Sequence, residues 1–539
     1  MSDRKSCWEC LKRRLVCDFT RPRCTKCSAR GVSCPGYDHK PLKWIVPGQT
    51  RSKRRGVRKD RLTSDQRRRQ EEEEHEEGHI EGQLVVVPPS IDLSSEITSL
   101  FDAIQYYNEH ICPDMLATGV TGSHNPFFTP LSTVGDLPDS IKEALISSAL
   151  GHRILQSSSE RPGDETAVLA TRLQTHRGAA IRTLADALSQ PKTQTSDAMI
   201  VSIFVFLLAE IQQSISTNWR HHLDGAAAII QERGGLSNLV MSRPLFRNLL
   251  QYFILIDVLG STTAPEVGTD SARRTLELVP LLPLLFGDGL QTCIPCPSEL
   301  VRSIIRINAQ RNRLQQHGAD ALGPGGPGTD RLSAGLELLQ QIRQFSPQSW
   351  AAEIKLSALQ GASRRQANKF VAAQGLDRPS PKGTASWDWQ RVAAVYQAAV
   401  ALYCISSLLG TEVARGMRPS ANTTTYSDTC GGVNAMRVEY CSSLLRDLRA
   451  IAGDDVNPQL RKMVIWPLVM AGIEVDPMDE ASQRFIEGEL GWMSRTLGIA
   501  SPLIGRQFLG RLWAFPVSWH QKSDQSWEGL FDRPYIFAL

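Results

Sequence analysis

Six cysteines lie within the first 34 residues of this 539-residue chain. They follow the spacing C-x2-C-x6-C-x6-C-x2-C-x6-C, two copies of one unit joined by a six-residue loop, and they are Cys7, Cys10, Cys17, Cys24, Cys27 and Cys34. A C-x2-C pair lets two sulfurs close on one metal ion, and thiolates are preferred ligands of zinc. No apolar signal segment precedes Cys7, so we expect an intracellular chain, where disulfides are disfavoured. The spacing therefore predicts a metal centre in place of a disulfide knot or a set of reactive thiols.

The number of ligands that each zinc ion requires determines how many ions the six cysteines can bind. Zinc in structural sites takes four ligands, so two ions need eight ligand positions. Six thiolates fill those positions only if two of them bridge, and the internal repeat favours one shared sulfur in each unit. A module this small cannot bury enough apolar surface to fold alone. We therefore expect two zinc ions, whose binding supplies folding free energy on the order of 10 kcal/mol.

The charge of the chain is divided unevenly. Residues 1–70 contain 21 Lys and Arg against 6 Asp and Glu, whereas the remainder contains 39 against 50. A basic N-terminal region on an otherwise acidic chain predicts that residues 1–70 bind a polyanion. Nucleic acid is the first candidate for that polyanion, and an anionic membrane surface is the second.

The cysteine-rich N-terminal segment closely resembles the zinc binuclear cluster of fungal transcription factors. The resemblance rests on the six cysteines, the run Lys12-Arg13-Arg14 after the second cysteine, and Arg21-Pro22-Arg23 before the fourth. It implies that Cys7 and Cys24 bridge the two ions. By the same resemblance, one zinc takes Cys7, Cys10, Cys17 and Cys24, and the other takes Cys24, Cys27, Cys34 and Cys7.

The resemblance also implies how the module binds double-stranded DNA. A short helix between the second and third cysteines enters the major groove and reads a CGG triplet, and Arg13 and Arg14 fall on the base-contacting pair. An arginine fork suits guanine, because it bonds O6 and N7 together. The other basic side chains are predicted to contact phosphates, which position the module without specifying sequence: Lys12, Arg21, Arg23, Lys26 and Arg30.

We expect three regions: the zinc module at 1–38, a disordered linker at 39–90 that is basic and then acidic, and a large domain at 91–539. One basic run in the linker predicts nuclear import and a nonspecific DNA arm, and it contains Lys53, Arg54, Arg55, Arg58 and Lys59. No apolar heptad repeat is sustained between residues 40 and 90, so a conventional coiled-coil dimer is not predicted. Monomeric binding and a homodimer formed through the large domain both stay open.

The large domain is predicted to be mostly α, an irregular assembly of amphipathic helices. Apolar residues recur at helical spacing, as in Trp219–Ile230, which Gly234-Gly235 should end. Further stripes run through Val392–Leu409 and Gln459–Ala471. Loops are expected near 310–335, 360–388 and 410–430. The domain is similar to the helical regulatory domain that follows many fungal zinc clusters, on the evidence of Phe101–Pro113 and Trp219–Gly235.

That second resemblance implies regulation through a partner or an unidentified small-molecule effector. Two residue pairs are weak candidates for binding a ligand or a metal. We interpret the first pair, His221-His222, as helix-surface or capping residues. We interpret the second, the C-x2-C pair Cys293 and Cys296, as ordinary loop thiols. The tail at 527–537 mixes acidic and aromatic residues. We expect it to dock on the helical domain, with recruitment of coregulators as the alternative.

These features together predict a nuclear, sequence-specific transcription factor. The resemblance to the fungal zinc cluster family implies that it acts with the transcription machinery on RNA polymerase II genes of metabolism or secondary metabolism. An enzyme is not predicted, because G-x-S-x-G does not occur and the glycine-rich segment Gly323–Gly328 lacks the Lys of a phosphate loop, so we interpret it as a flexible linker. The alternatives are an enzyme with an appended zinc module and a zinc-dependent adaptor for protein or RNA. A membrane partner is not predicted, since the longest near-apolar run that we identified is Met199–Ala209, about half a membrane span.

Overall fold

The computed structural model describes residues 7, 10, 17–18, 20, 24–30, 34, 97, 99–118, 125–157, 164–213, 219–243, 246–287, 290, 292–317, 327–356, 386–410, 424–453, 456–514 and 526–538. Contacts divide the chain into two compact units, Met1–Ile91 and Asp92–Leu539. The first unit contains the helix α1 (Thr25–Ser28). The linker predicted at 39–90, with its import run Lys53–Lys59, lies outside the described residues.

The second unit is helical, and no strand occurs in the part of it that the structure describes. Its helices are α2 (Leu100–Tyr106), α3 (Asp139–Ser157), α4 (Asp164–Leu188), α5 (Asp197–Gln213), α6 (Trp219–Glu232), α7 (Gly235–Ser242), α8 (Arg247–Thr262), α9 (Thr269–Glu277), α10 (Leu282–Phe286), α11 (Ser298–His317), α12 (Pro327–Gln344), α13 (347–356), α14 (Ser386–Cys404), α15 (Thr424–Ile451), α16 (Pro458–Arg461), α17 (Ile465–Glu474), α18 (Glu480–Leu497) and α19 (Ser501–Trp513). Short π or 3₁₀ segments cover Tyr107–Ile111, Cys112–Met115, Leu131–Asp136, Val279–Leu281, Ile405–Leu409 and Glu528–Leu530. The mostly α fold predicted from the sequence is confirmed.

Helix α6 shows how the apolar pattern places helices on the core. Trp219, Leu223, Ala226, Ala227 and Ile230 are buried along one face, as their spacing predicts. The chain then turns at Gly234, whose φ of 90° lies in the left-handed region that glycine adopts without strain. Both the helix and its predicted end are confirmed.

The centre of the large unit contains one long apolar helix, which the sequence analysis predicts as the stripe Val392–Leu409. Residues Asp388–Leu409 form a helical stretch of 22 residues, long and apolar enough by composition to cross a membrane, and 89% of its most apolar window is buried inside the protein. Polar residues such as Gln397 and Ser406 interrupt the run, so the sequence does not show it as one continuous apolar segment. Burial on all sides by the other helices identifies it as a core helix.

Two predicted boundaries were wrong. The loop predicted at 310–335 is too wide, because α11 continues to His317 and α12 begins at Pro327. Proline is favoured in the first turn of a helix, where its missing N–H is not needed. The glycine- and proline-rich segment therefore ends at a helix start.

The stripe Gln459–Ala471 is also not one helix, because it divides into α16 and α17. Pro467 has no N–H to donate to the Met463 carbonyl four residues earlier. The Tyr396 hydroxyl donates to that carbonyl instead, at 2.8 Å. The break is thus stabilised by a side chain from α14.

The C-terminal tail (526–538) docks on the helical unit, which confirms the expectation. Trp527 is 1% exposed, and its indole N–H donates to the Thr262 carbonyl at 2.8 Å. Tyr535 exchanges hydrogen bonds of 3.0 and 2.9 Å with Thr263, and Phe537 is also buried. The tail therefore forms part of the core beside the C-terminus of α8.

Candidate metal centre and nucleic-acid interface

The six N-terminal cysteines form a cluster of their own. Five of them are at most 4% exposed and Cys34 is half-buried. Their sulfurs form two overlapping groups of four, within each of which all sulfurs lie within 4.8 Å of one another. The first group is Cys7, Cys10, Cys17 and Cys24, and the second is Cys7, Cys24, Cys27 and Cys34. Cys7 and Cys24 thus belong to both groups.

The backbone repeats the same contact in each C-x2-C unit. The Cys10 N–H donates to the Cys7 sulfur at 3.4 Å, and the Cys27 N–H donates to the Cys24 sulfur at 3.3 Å. Cys24 also precedes α1 as its N-cap residue, so the helix start holds this sulfur in place. The two shared sulfurs therefore occupy equivalent positions in the two units.

The sulfur distances fit zinc. The Cys7 and Cys24 sulfurs are 3.6 Å apart, and the Cys10 and Cys24 sulfurs are 3.7 Å apart. Four sulfurs placed tetrahedrally at the usual Zn–S length of about 2.3 Å lie about 3.8 Å from one another. A disulfide requires about 2.05 Å, so these pairs are not disulfide-bonded, and the six cysteines are free thiols.

The protonation state of the cluster depends on whether a cation is bound. Burial raises the pKa values of the Cys7 and Cys10 thiols. The hydrogen bond with Cys24, and then burial, raises the pKa of Cys27 to about 12. Without a metal these thiols keep their protons at neutral pH, whereas a bound divalent cation favours the thiolates. The donor set therefore suits a thiolate-bound zinc site.

Only part of the predicted DNA-binding surface is described. Lys26 on α1 and Arg30 just after it are both exposed, and the Thr25 N–H of α1 donates to Asp18 at 2.9 Å. This contact joins the loop between the two cysteine units to the start of α1. The other predicted DNA contacts lie outside the described residues, and they are Lys12, Arg13, Arg14, Arg21 and Arg23.

Among the described side chains, the two cysteine groups are the only sets of His, Cys, Asp or Glu placed closely enough to hold a metal ion. In the C-x2-C pair, burial raises the pKa of Cys293 to about 12 and also raises that of Cys296. Both therefore stay protonated, as ordinary loop thiols do. His222 packs its ring edge against Phe206, and burial lowers its pKa, whereas His221 is exposed.

Comparison with known proteins agrees with this arrangement. Residues 5–43 match the fungal Zn(2)-Cys(6) binuclear cluster domain. Residues 103–514 match the fungal specific transcription factor domain. No solved structure matches the chain.

Three curated proteins illustrate the similarity. The phomenoic acid biosynthesis cluster-specific transcriptional regulator of Leptosphaeria maculans is 27% identical over 553 aligned residues, which cover 100% of this chain and 90% of that protein. The pestheic acid cluster transcriptional regulator 3 of Pestalotiopsis fici is 45% identical over 42 residues, 8% of this chain and 7% of its own length. The arginine metabolism regulation protein II of Saccharomyces cerevisiae is 42% identical over 43 residues, 8% of this chain and 5% of its own length. The chain therefore belongs to the fungal Zn(2)-Cys(6) transcription factors, and it is a zinc-binding, DNA-binding transcriptional regulator and not an enzyme.

Proposed function

We propose that this regulator binds CGG-type DNA sites through a two-zinc centre in which Cys7 and Cys24 bridge. The observation that carries the proposal is the pair of overlapping sulfur groups, which share those two residues. Six thiolates give two ions four ligands each only with two bridges. The exposed Lys26 and Arg30 add positive charge beside α1, where phosphates would be contacted.

Residues 1–38 act as the DNA-binding module, 39–90 as a linker that carries the nuclear import run, and 91–539 as the regulatory domain. The protein acts in the nucleus on RNA polymerase II genes. Similarity along the whole chain to a regulator named for a biosynthesis cluster supports secondary-metabolite genes as its targets. A metabolic gene set is the second candidate for the target class. A homodimer would form through the regulatory domain.

The test compares Cys24→Ala with Cys441→Ala in the full-length chain. Cys441 is a half-buried thiol on α15, outside both sulfur groups, so it controls for the loss of a cysteine. We expect two zinc ions per chain in the wild type and in Cys441→Ala, with selective binding to a CGG duplex over a scrambled one. Cys24→Ala should lose the metal and DNA binding together, because its sulfur belongs to both groups.

Zinc content by elemental analysis and binding by fluorescence anisotropy report the two results separately. A Cys24→Ala protein that retains two zinc ions would refute the bridging assignment. Equal binding of the wild type to both duplexes would refute CGG recognition and favour the adaptor alternative.

A further inference from the structure

A cavity of ≈ 130 Å³ lies inside the large unit, where α5, α8 and the C-terminal tail come together. Most of its wall is apolar, and it includes Leu145, Val205 and Leu208 together with Ala538 of the tail. An apolar cavity of about 150 Å³ is large enough to take up benzene. A single ring or a short branched chain is therefore the size of group that fits.

The charged residues of the wall neutralise each other. The Lys462 ammonium lies 2.8 and 3.0 Å from the two carboxylate oxygens of Asp114, and the Gln459 amide donates to the same carboxylate at 3.2 Å. An ionised ligand would have to break this pair or stay unpaired in apolar surroundings, and both are costly. The cavity therefore favours an uncharged ligand.

Gln212 is a residue of the wall whose side-chain amide has a buried N–H group without a partner among the described residues. Its side chain comes from α5 and is 8% exposed. Its Oε1 accepts a hydrogen bond from the Ser148 hydroxyl, while its Nε2 has no partner among the described residues. The nearby Tyr107 and Tyr252 hydroxyls already donate to Met115.

A buried donor without a partner destabilises the protein, so an acceptor on a ligand would recover that free energy. We infer that the cavity binds an uncharged, mainly apolar small molecule that carries a carbonyl group, such as a ketone, ester or lactone. The ring or alkyl part fills the apolar wall, and the carbonyl oxygen accepts from Gln212. Because Ala538 is part of the wall, the bound molecule contacts the tail and strengthens its docking. The role of this molecule as an effector rests on the proposed function, whereas its binding does not.

Three probes of similar size separate the contributions: acetophenone, ethylbenzene and benzoate. Acetophenone offers a neutral carbonyl, ethylbenzene lacks the oxygen, and benzoate adds a charge. Calorimetry with the full-length protein should give acetophenone about tenfold tighter binding than ethylbenzene, which is the effect of one net hydrogen bond. Benzoate should not bind.

Gln212→Met retains the length of the side chain and removes the amide, so it should make acetophenone and ethylbenzene bind equally. Gln213→Met is the matched control, since Gln213 is equally buried on the same helix but does not line the cavity. The control should keep the tenfold preference, even if it loses stability. The inference is overturned if neither neutral probe binds, if benzoate binds tightest, or if Gln212→Met keeps the preference. Zinc content and DNA binding, measured in parallel, report separately on the proposed function.

Discussion

Cys7 and Cys24 combine two properties that the other four N-terminal cysteines do not share. Each lies in both groups of sulfurs, and each receives a backbone N–H from the cysteine three residues later. A thiolate shared by two cations carries more positive charge around it than a terminal one, and such N–H contacts hold it in position. We therefore expect these two positions to tolerate substitution least.

Two arginines of the module are expected to differ in what they contribute to DNA binding. Arg14→Ala should reduce discrimination between CGG and mutated triplets by about tenfold to a hundredfold, because the contact that we propose for Arg14 is bidentate with guanine. Arg21→Ala should weaken binding to all duplexes alike and lower the salt dependence, because it removes a phosphate contact. Anisotropy titrations with several triplets at several salt concentrations measure both quantities. Unchanged triplet preference in Arg14→Ala would rule out its assignment as a base reader.

His152 makes the stability of the large unit depend on pH. The residue is 1% exposed, and burial lowers its pKa to about 4 from the usual 6.5, with smaller contributions from His110 and Lys462. The unfolded chain takes up the proton first as the pH falls, so stability is fully present above pH 6.5 and is lost towards pH 4. The loss attributable to this residue approaches roughly 3 kcal/mol.

This prediction is checked by urea unfolding of the wild type and of His152→Gln at pH 7, 6, 5 and 4.5. The wild type should be the more stable at pH 7, since a hydrogen bond of 3.0 Å joins its ring to the Tyr106 hydroxyl. Its advantage should shrink in acid, because glutamine does not titrate. A difference that stays constant across the series would contradict the prediction.

Some of these functional residues can be recognised from the sequence pattern, and others cannot. The cysteines are recognisable because their spacing reflects the geometry of the metal. Gln212 and Arg311 are not recognisable, because a polar residue on a helix ordinarily faces solvent. Both are buried only because other segments of the chain pack over them, and no local pattern reports such a contact.

Arg311 and the tail together cap the C-terminus of α8. The last carbonyls of a helix have no donor within the helix. Arg311 on α11 donates to the carbonyls of Ser261 and Ala264 at 2.8 and 3.0 Å and to Glu528 of the tail at 3.1 Å, and Trp527 donates to Thr262. The carbonyl groups at the end of α8 thus receive their hydrogen bonds from segments that are distant in sequence.

Substitutions of Trp527 test this arrangement. Trp527→Ala should lower the free energy of unfolding by about 3–5 kcal/mol, since it removes a fully buried ring. Trp527→Phe should cost only about 1–3 kcal/mol, since most of the ring remains and the Thr262 carbonyl loses one donor. Denaturant unfolding followed by circular dichroism measures both, with the exposed Met478→Ala as the neutral control. Wild-type stability in Trp527→Ala would contradict the docked position of the tail.

Helix existence was easier to predict than helix ends. The repeat of apolar residues gave α6 correctly, because burial against the core selects that spacing. The break between α16 and α17 was missed, since it depends on Pro467 and on a hydroxyl from α14. The start of α12 was missed because glycine and proline were interpreted only as loop residues, although Pro327 suits a first turn.

The whole molecule consists of two compact units that are stabilised in different ways. The first contains the sulfur cluster, and the second contains a large hydrophobic core. A unit whose folding depends on a metal should unfold when the metal is removed, whereas a unit stabilised by a hydrophobic core should not. The division into units therefore has a measurable consequence.

Chelation of the full-length protein with 1,10-phenanthroline should abolish DNA binding and leave the helical unit folded. Zinc binding is expected to supply the folding free energy of the small unit and not that of the helical unit. The circular dichroism signal at 222 nm and the main thermal transition should therefore change little, and added zinc should restore DNA binding. Loss of most of the helical signal on chelation would contradict the independence of the two units.

The position of Trp527 and Phe537 inside the core has a consequence for the gene. A stop codon or frameshift anywhere upstream of these codons removes part of the hydrophobic interior, even when every preceding helix is encoded intact. Such an allele should yield a polypeptide that quality-control proteases degrade, and not a shortened regulator with altered output. Late-truncated copies found in related genomes are accordingly expected to be pseudogenes.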